Sequence, residues 1–290
     1  MSGDRAAEDP TLALDALVDR ALAEDLGDGD RTTEWTVPES VRGTAHIVAR
    51  AAGVVAGCDA AGRVFERLDS TLELHWLVSD GSAVEPGDEV VRLEGSLRSI
   101  LSGERAALNF LAQLSGVATL AAAYARAVEG TGCRVTDTRK TTAGWRALEK
   151  AAAAAAGVVN HRMGLYDMVL IKENHVRASG GIGAALQAAR EGAVDEPIEI
   201  EIEVTNEAEL DEALAGGAGR ILLDNMTLDQ LSRAVRRVRS TPPPWPVLEA
   251  SGGVTLENVR QIAGTGVDLV SVGAITHSAP WLDLSLLVLE

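Results

Sequence analysis

Glu199-Ile-Glu-Ile-Glu-Val204 alternates acidic and branched apolar residues without a break. Side chains on a strand point to opposite faces in turn, so the three glutamates share one face and Ile200, Ile202 and Val204 the other. In a barrel the apolar face packs outward on helices and the carboxylates face inward. A helical pattern follows over 206–215, and the same alternation holds for everything beyond Gly132. Strands are expected at 133–139, 168–172, 198–204, 220–224, 247–251 and 268–273, with helices near 144–156, 181–191, 206–215, 227–239 and 255–263. Repeated βα units imply a parallel sheet covered by helices; six of them close into a barrel or stay open as a doubly wound sheet.

Upstream the pattern differs. Leu14, Leu17, Val18, Ala21, Leu22 and Leu26 recur at helical spacing, and Gly27-Asp-Gly-Asp30 ends that helix. Branched segments at 43–49, 52–56 and 71–78, a short helix near 60–68 and a turn at Pro86-Gly87-Asp88 read as a small α+β unit. A long helical pattern from Ser99 to Val128 places Leu108, Leu111, Ala112, Leu114 and Ser115 on one face and Arg105 in its first turns. It is a natural bridge between two domains, with the boundary near residue 117.

The 290 residues are enough for one large or two medium domains, and with 46% apolar content but only nine aromatics the core is aliphatic. The N-terminus is polar, and no run of about 18 uncharged apolar residues stands out, which points to a soluble, cytoplasmic protein without a membrane partner. Cys58 and Cys133 lack a partner motif and read as buried small hydrophobes. A formal charge of -17 argues against nucleic acid as a partner. Against that background, Arg134 to Arg177 carries eight Lys or Arg and four Asp or Glu, a local balance of +4. The bulk of the chain repels anions while this segment collects them.

Each expected strand ends in groups suited to chemistry: Arg139 and Lys140, Lys172, Glu201 and Glu203, Asp224 and Asn225, Ser251-Gly252-Gly253, then Gly273 with His277 just beyond. The C-terminal ends of parallel strands share one face, so these signals converge. Glu203 with Asp224 suits Mg²⁺, which takes oxygen ligands and bridges to substrate phosphates; the alternative is salt bridging to nearby cations without metal. The glycine turns at Ser251-Gly-Gly253 and Val272-Gly273-Ala274 offer backbone N–H groups to a phosphate, the first ahead of a helix starting near Thr255. Arg105, Arg139, Lys140, His161, Arg162 and Lys172 exceed what one phosphate needs, and arginine forks bind carboxylates in bidentate fashion. The residues point to an enzyme using Mg²⁺, an anionic sugar phosphate and an acidic co-substrate.

Laid out in order, the motifs resemble quinolinate phosphoribosyltransferase, the decarboxylating nicotinate-nucleotide pyrophosphorylase of NAD synthesis. The resemblance rests on Ala23 to Thr33, Glu104-Arg-Ala-Ala-Leu-Asn109, Leu114-Ser-Gly116, Asp137-Thr138-Arg139-Lys140-Thr141, Asn160-His-Arg162, Leu170-Ile-Lys172 with Asn174-His175, Ile221-Leu-Leu-Asp-Asn225, Ser251-Gly-Gly253 and Val272-Gly-Ala274. It implies an α/β chain with an N-terminal α/β sandwich domain over 1–117, joined by a C-terminal tail at 276–290, and an open six-stranded α/β barrel of type II phosphoribosyltransferases over 118–275. It further implies a homodimer in which Arg105 crosses to the partner's site. By the same resemblance, Arg139, His161, Arg162 and Lys172 line the quinolinate pocket, Lys140 reaches toward phosphoribosyl pyrophosphate, and Thr138 belongs to the substrate-binding set. Glu203 and Asp224 approach metal and ribose, Lys140, Lys172, Glu203 and Asp224 carry catalysis, and Ser251 to Gly253, Val272 to Ala274 and His277 complete the substrate site. The chain departs from the family at Thr142-Ala-Gly-Trp145, at the six alanines after Lys150 with Gly157-Val-Val, and at Glu173. Alanine favours helix, so 151–156 should extend one.

Overall fold

The computed structural model describes residues 10–195 and 197–289. In chain order the elements are α1 (Pro10–Leu26), α2 (Arg31–Thr36), β1 (Arg42–Ala49), β2 (Gly53–Val54), α3 (Cys58–Leu68), β3 (Glu73–Trp76), β4 (Ala83–Val84), β5 (Glu89–Ser96) and α4 (Leu97–Ala127). There follow β6 (Arg134–Thr136), α5 (Arg146–Ala155), β7 (Val169–Ile171), α6 (Glu173–Ser179), α7 (Ile182–Gly192), β8 (Ile200–Val204), α8 (Glu207–Ala215), β9 (Arg220–Asp224) and α9 (Leu228–Arg239). The chain ends with β10 (Val247–Ser251), α10 (Val259–Ala263), β11 (Leu269–Ser271), α11 (Ala274–His277) and β12 (Leu284–Val288).

Contacts group these elements into two compact units. One holds the described residues up to Leu120, Ala147–Ala156 and those from Ala279 on; the other holds Ala121–Arg146 and Gly157–Ser278. The alanine-rich stretch, expected within 118–275, therefore groups with the first unit, and it is helical, as alanine favours.

The first unit is built on an antiparallel sheet in the order β12-β1-β5-β3, with β2 and β4 as a separate pair. Leu14, Val18 and Leu22 form the buried stripe of α1, which contacts α3, a helix whose own buried residues are Ala60, Ala61, Val64 and Phe65. Two hydroxyls on α4 fix the segment after β1: Ser115 Oγ accepts from Ala56 N at 3.0 Å and Thr119 Oγ1 from Val54 N at 2.9 Å. Either hydroxyl lost would leave a backbone donor without its partner, a cost of about 1–3 kcal/mol when buried. The expected apolar face of α4 is buried throughout, from Leu108 to Ser115. By length and composition α4 is apolar enough to cross a bilayer, but 72% of its most apolar window is buried within the fold. Cys133 is buried, whereas Cys58, at the first turn of α3, is partly exposed and departs from the expectation for it.

The second unit is a six-stranded parallel sheet in the order β6-β11-β10-β9-β8-β7. From β7 to β11 each strand lies beside its predecessor, and the last then pairs with the first, β6. A doubly wound sheet would reverse direction midway; winding in one sense puts the helices on one side and curls the other side inward. Among the described residues β6 and β7 do not pair, so the barrel is open at that seam. Ile202 and Val204 turn outward and are buried, as are Leu210 and Ala213 of α8. Each such aliphatic side chain, taken out of water, contributes roughly 1.5–3 kcal/mol for the larger ones. Asn206 caps α8 by accepting from Glu209 N, and Thr227 with Gln230 closes the start of α9, so these helices begin where the strands have just ended.

Two local expectations are corrected. The helix expected from Thr255 starts at Val259, because Asn258 Oδ1 accepts from Thr255 N and holds a turn there. The alternating glutamates do not behave alike: Glu199 is exposed, Glu201 has no exposed surface, and Glu203 is half-buried at the strand's end.

Candidate active site

The inward face of the second unit's sheet opens into a cavity of about 840 Å³. Thr138, Arg139, Lys140, His161, Arg162, Lys172, Glu203, Asp224, Ser251, Gly252, Gly253, Gly273, Ala274 and His277 all line it. Val272 does not: it is 1% exposed and its N–H bonds Thr136 O, a core position between two lining neighbours. Arg105 is exposed on α4 in the first unit and is not part of the lining.

The cations are held by backbone and turn geometry. Lys140 N donates to Thr138 Oγ1 at 3.0 Å, and Thr276 Oγ1 donates to Lys140 O at 2.7 Å, which ties the segment after β6 to the turn after β11. Lys172 immediately precedes α6, a helix not anticipated from the sequence, and its N–H donates to His175 Nδ1 at 2.9 Å. The Lys172 side chain reaches back to Glu203 Oε2 at 3.1 Å. Arg162 donates to Met168 O at 3.0 Å through one terminal nitrogen. Its Nε and that of Arg139 are buried donors with no acceptor in the protein. Burial, and then the charge of Arg139, weaken Arg162's hold on its proton, although a guanidinium stays protonated. Two guanidinium groups that repel each other, each with a buried Nε that has no acceptor in the protein, form a strong anion site.

Opposite them stand the carboxylates. Asp224 Oδ1 accepts from Ser251 Oγ at 2.5 Å and Oδ2 from Asn225 Nδ2 at 2.7 Å. Asn225 itself sits at φ +51°, and Gly252 and Gly253 follow Ser251 at φ +92° and +59°. A Cβ on Gly252 would run into the Asn225 side chain, so this turn requires glycine for space as well as for conformation. The result is bare backbone lining the cavity beside Ser251.

Below this rim lies an ionic cluster that the sequence reading missed. Arg220 donates to Glu201 Oε1 at 3.2 Å, to Glu249 Oε2 at 2.5 Å and to Glu199 Oε2 at 3.2 Å. Glu201 and Glu249 have no exposed surface. His161 N donates to Asp137 Oδ1, His161 Nδ1 accepts from Arg162 N at 2.7 Å, and Nε2 lies 3.1 Å from Glu201 Oε2. His161, Glu201 and Glu249 have the spacing of a metal-binding trio, but Arg220 already supplies the positive charge there. The alternation rule was sufficient to find both missed residues: Arg220 shares a face with Asp224, four residues on, and Glu249 shares one with Ser251.

Comparison with known proteins agrees along the whole length. The pattern of the quinolinate phosphoribosyl transferase N-terminal domain matches residues 30–115, and that of its C-terminal domain matches 117–287. A probable nicotinate-nucleotide pyrophosphorylase [carboxylating] of Synechocystis is 42% identical over 281 residues, covering 97% of this chain and 94% of the relative. A nicotinate-nucleotide pyrophosphorylase [carboxylating] of Mycobacterium leprae is 43% identical over 270 residues, covering 92% and 94%. The solved structure of the nicotinate-nucleotide pyrophosphorylase from Francisella tularensis superposes with a TM-score of 0.92 at 38% identity, over 99% of this chain and 100% of that one. With a cavity that gathers two arginines whose Nε has no acceptor in the protein, strand-end carboxylates and a glycine turn, and with matches spanning both domains, the chain belongs to the quinolinate phosphoribosyl transferase family.

Proposed function

We propose that this protein joins quinolinate to the phosphoribosyl group of phosphoribosyl pyrophosphate, with loss of pyrophosphate and CO₂, and so makes nicotinate mononucleotide for NAD synthesis. The observation that carries the reading is the pair of buried guanidinium donors, Arg139 Nε and Arg162 Nε, which have no protein acceptor and face the same cavity as the Ser251-Gly-Gly253 turn. A pyridine bearing two carboxylates satisfies such forks, and a 5'-phosphate satisfies a glycine turn.

In this reading Arg139 and Arg162 grip the carboxylates and hold the ring nitrogen toward the ribose carbon it attacks. Lys140 and Lys172 offset the charge of two polyanions brought into one cavity. Most of the rate then comes from positioning and from fixed charges that support the changes at ribose and ring, with no covalent enzyme intermediate. Glu203 and Asp224 fit Mg²⁺: they are oxygen donors at adjacent strand ends, and a pair of carboxylates plus substrate phosphates is the usual Mg²⁺ setting, in contrast to an all-protein cage. When bound, Mg²⁺ would supply charge neutralisation for the leaving pyrophosphate. Lys172 holds Glu203 and Ser251 holds Asp224 meanwhile, keeping both carboxylates oriented. The reading includes a cytoplasmic homodimer in which Arg105, exposed on α4, reaches the partner's cavity.

Mixing the protein with quinolinate, phosphoribosyl pyrophosphate and Mg²⁺ should yield nicotinate mononucleotide, pyrophosphate and CO₂ in equal amounts. Turnover of a different pyridine acid with none of quinolinate would refute the substrate, and binding without turnover would refute the enzyme.

A further inference from the structure

Glu249 stands on β10 two residues before Ser251, lines the cavity and has no exposed surface. Its Oε2 accepts from Arg220 at 2.5 Å, whereas Oε1, 3.6 Å from His161 Nε2, makes no hydrogen bond. A buried carboxyl oxygen without a donor suits a protonated acid better than an anion.

The function proposed above, on which this inference rests, contains a step that needs such an acid. Once the ring nitrogen is quaternised, the bond from C2 to its carboxylate breaks and CO₂ departs. The electron pair left on C2 beside the positive nitrogen can recapture CO₂ until a proton arrives, so protonation commits the step and net CO₂ release depends on it. We propose that Glu249 donates that proton. The hydrogen leaves the Glu249 carboxyl and forms the new C2–H bond with the carbon's electron pair; the residue is left as a carboxylate and regains a proton from water before the next turnover.

The other acids of the cavity are arranged for different work. Among the described lining residues, carboxyls belong to Glu203, Asp224 and Glu249. Glu203 is paired with Lys172, and Asp224 accepts from both Ser251 and Asn225, so both are committed as acceptors to neighbouring donors. His161 is engaged elsewhere, its Nδ1 accepting from Arg162 N–H and its Nε2 lying 3.1 Å from Glu201. The groups around Glu249 are Arg220 from β9, Glu201 from β8, His161 from the segment before β7, and Cys133 just ahead of β6. Burial first, and then the charge of Glu201, strengthen Glu249's hold on its proton, with His161 and Arg220 opposing. Those two opposing groups have a use: Arg220 at Oε2 and the His161 N–H near Oε1 stabilise the carboxylate formed as the proton leaves.

Single turnovers with quinolinate, phosphoribosyl pyrophosphate and Mg²⁺, quenched rapidly and assayed for pyrophosphate and CO₂ separately, test the assignment in wild type and in E249Q. In E249Q pyrophosphate should form within about threefold of the wild-type rate while CO₂ formation falls by roughly 10²–10⁴-fold, the range for losing a general acid. In wild type the CO₂ step should slow as pH rises, with pyrophosphate formation unaffected, and E249Q should lack that limb. In a folded E249Q, equal losses of both products, or no loss of either, would overturn the proposal. Should E249Q not fold, the wild-type profiles decide: parallel pH dependence for pyrophosphate and CO₂ overturns the proton donor. A wild type that converts quinolinate to nucleotide but shows no separate CO₂ step sinks only this inference, whereas one that makes neither product sinks the proposed function and this with it.

Discussion

Arg220→Met tests whether the buried cluster beneath the cavity depends on one guanidinium. Its side chain is 11% exposed and bridges Glu201 and Glu249, both at 0%. Methionine keeps the length and apolar stem but leaves two buried carboxyls facing each other without a cation. Removing one partner from a buried ion pair costs about 3–5 kcal/mol. At about 2–4 °C per kcal/mol for a chain of this size, Tm should fall by roughly 6–20 °C at pH 8. The pH dependence follows from Glu249, which burial and the charge of Glu201 already push above its usual 4.5. A carboxyl that holds its proton more tightly folded than unfolded adds stability below its unfolded pKa, and that contribution is lost as pH rises through the folded one. Without Arg220 the folded value rises further, so the deficit of the variant relative to wild type should be smaller at pH 5.5 than at pH 8, because a neutral Glu249 needs no cation. Thermal melts of both proteins at the two pH values read this directly. A deficit under about 1 kcal/mol at pH 8, or one equal at both pH values, would show that the cluster is not held together as argued.

Arg105→Ala and Lys172→Ala should each be inactive alone. Mixed after dissociation and reassociation they should recover about 25% of wild-type activity, since random pairing makes half the dimers mixed and one site in each of those is complete; no recovery refutes the shared site. Arg139→Lys keeps the charge but loses the fork and should raise KM for quinolinate roughly 10- to 100-fold, and an unchanged KM would remove Arg139 from carboxylate binding. Asp224→Ala should raise the Mg²⁺ concentration needed for half-maximal rate by about tenfold or more, measured by titration at fixed phosphoribosyl pyrophosphate.

The barrel was legible because its strands and helices carry different periods, and most strand positions fell where alternation and turn residues placed them. What sequence spacing did not carry was the order of the strands. That the last lies beside the first, and that the seam is between β6 and β7, depends on pairings far apart in the chain. Residues 147–156 show the same limit: their helix is written in the alanines, but the unit they pack with is not. In the site, charge and glycine drew attention to Arg139, Lys172, Asp224 and Ser251. Arg220 and Glu249 were passed over because each sits early or midway in its strand and so reads as an ordinary polar residue until the barrel's inward face is known. α6 escaped because its seven residues offer too little periodicity, although it positions Lys172.

The floor and rim of the cavity make opposite electrostatic demands, and the protonation of Glu249 is where they meet. With Glu249 protonated, the Arg220 guanidinium faces one fewer buried carboxylate among side chains that have almost no contact with water. Were Glu249 ionised at rest, a buried negative charge would lie directly below a rim whose arginines and lysines must hold two polyanions, weakening both folding and binding. The same negative charge becomes useful once pyrophosphate and CO₂ have gone and the product ring is positive. An acid that is neutral while anions bind and anionic while a cation is present serves both halves of the cycle with one proton.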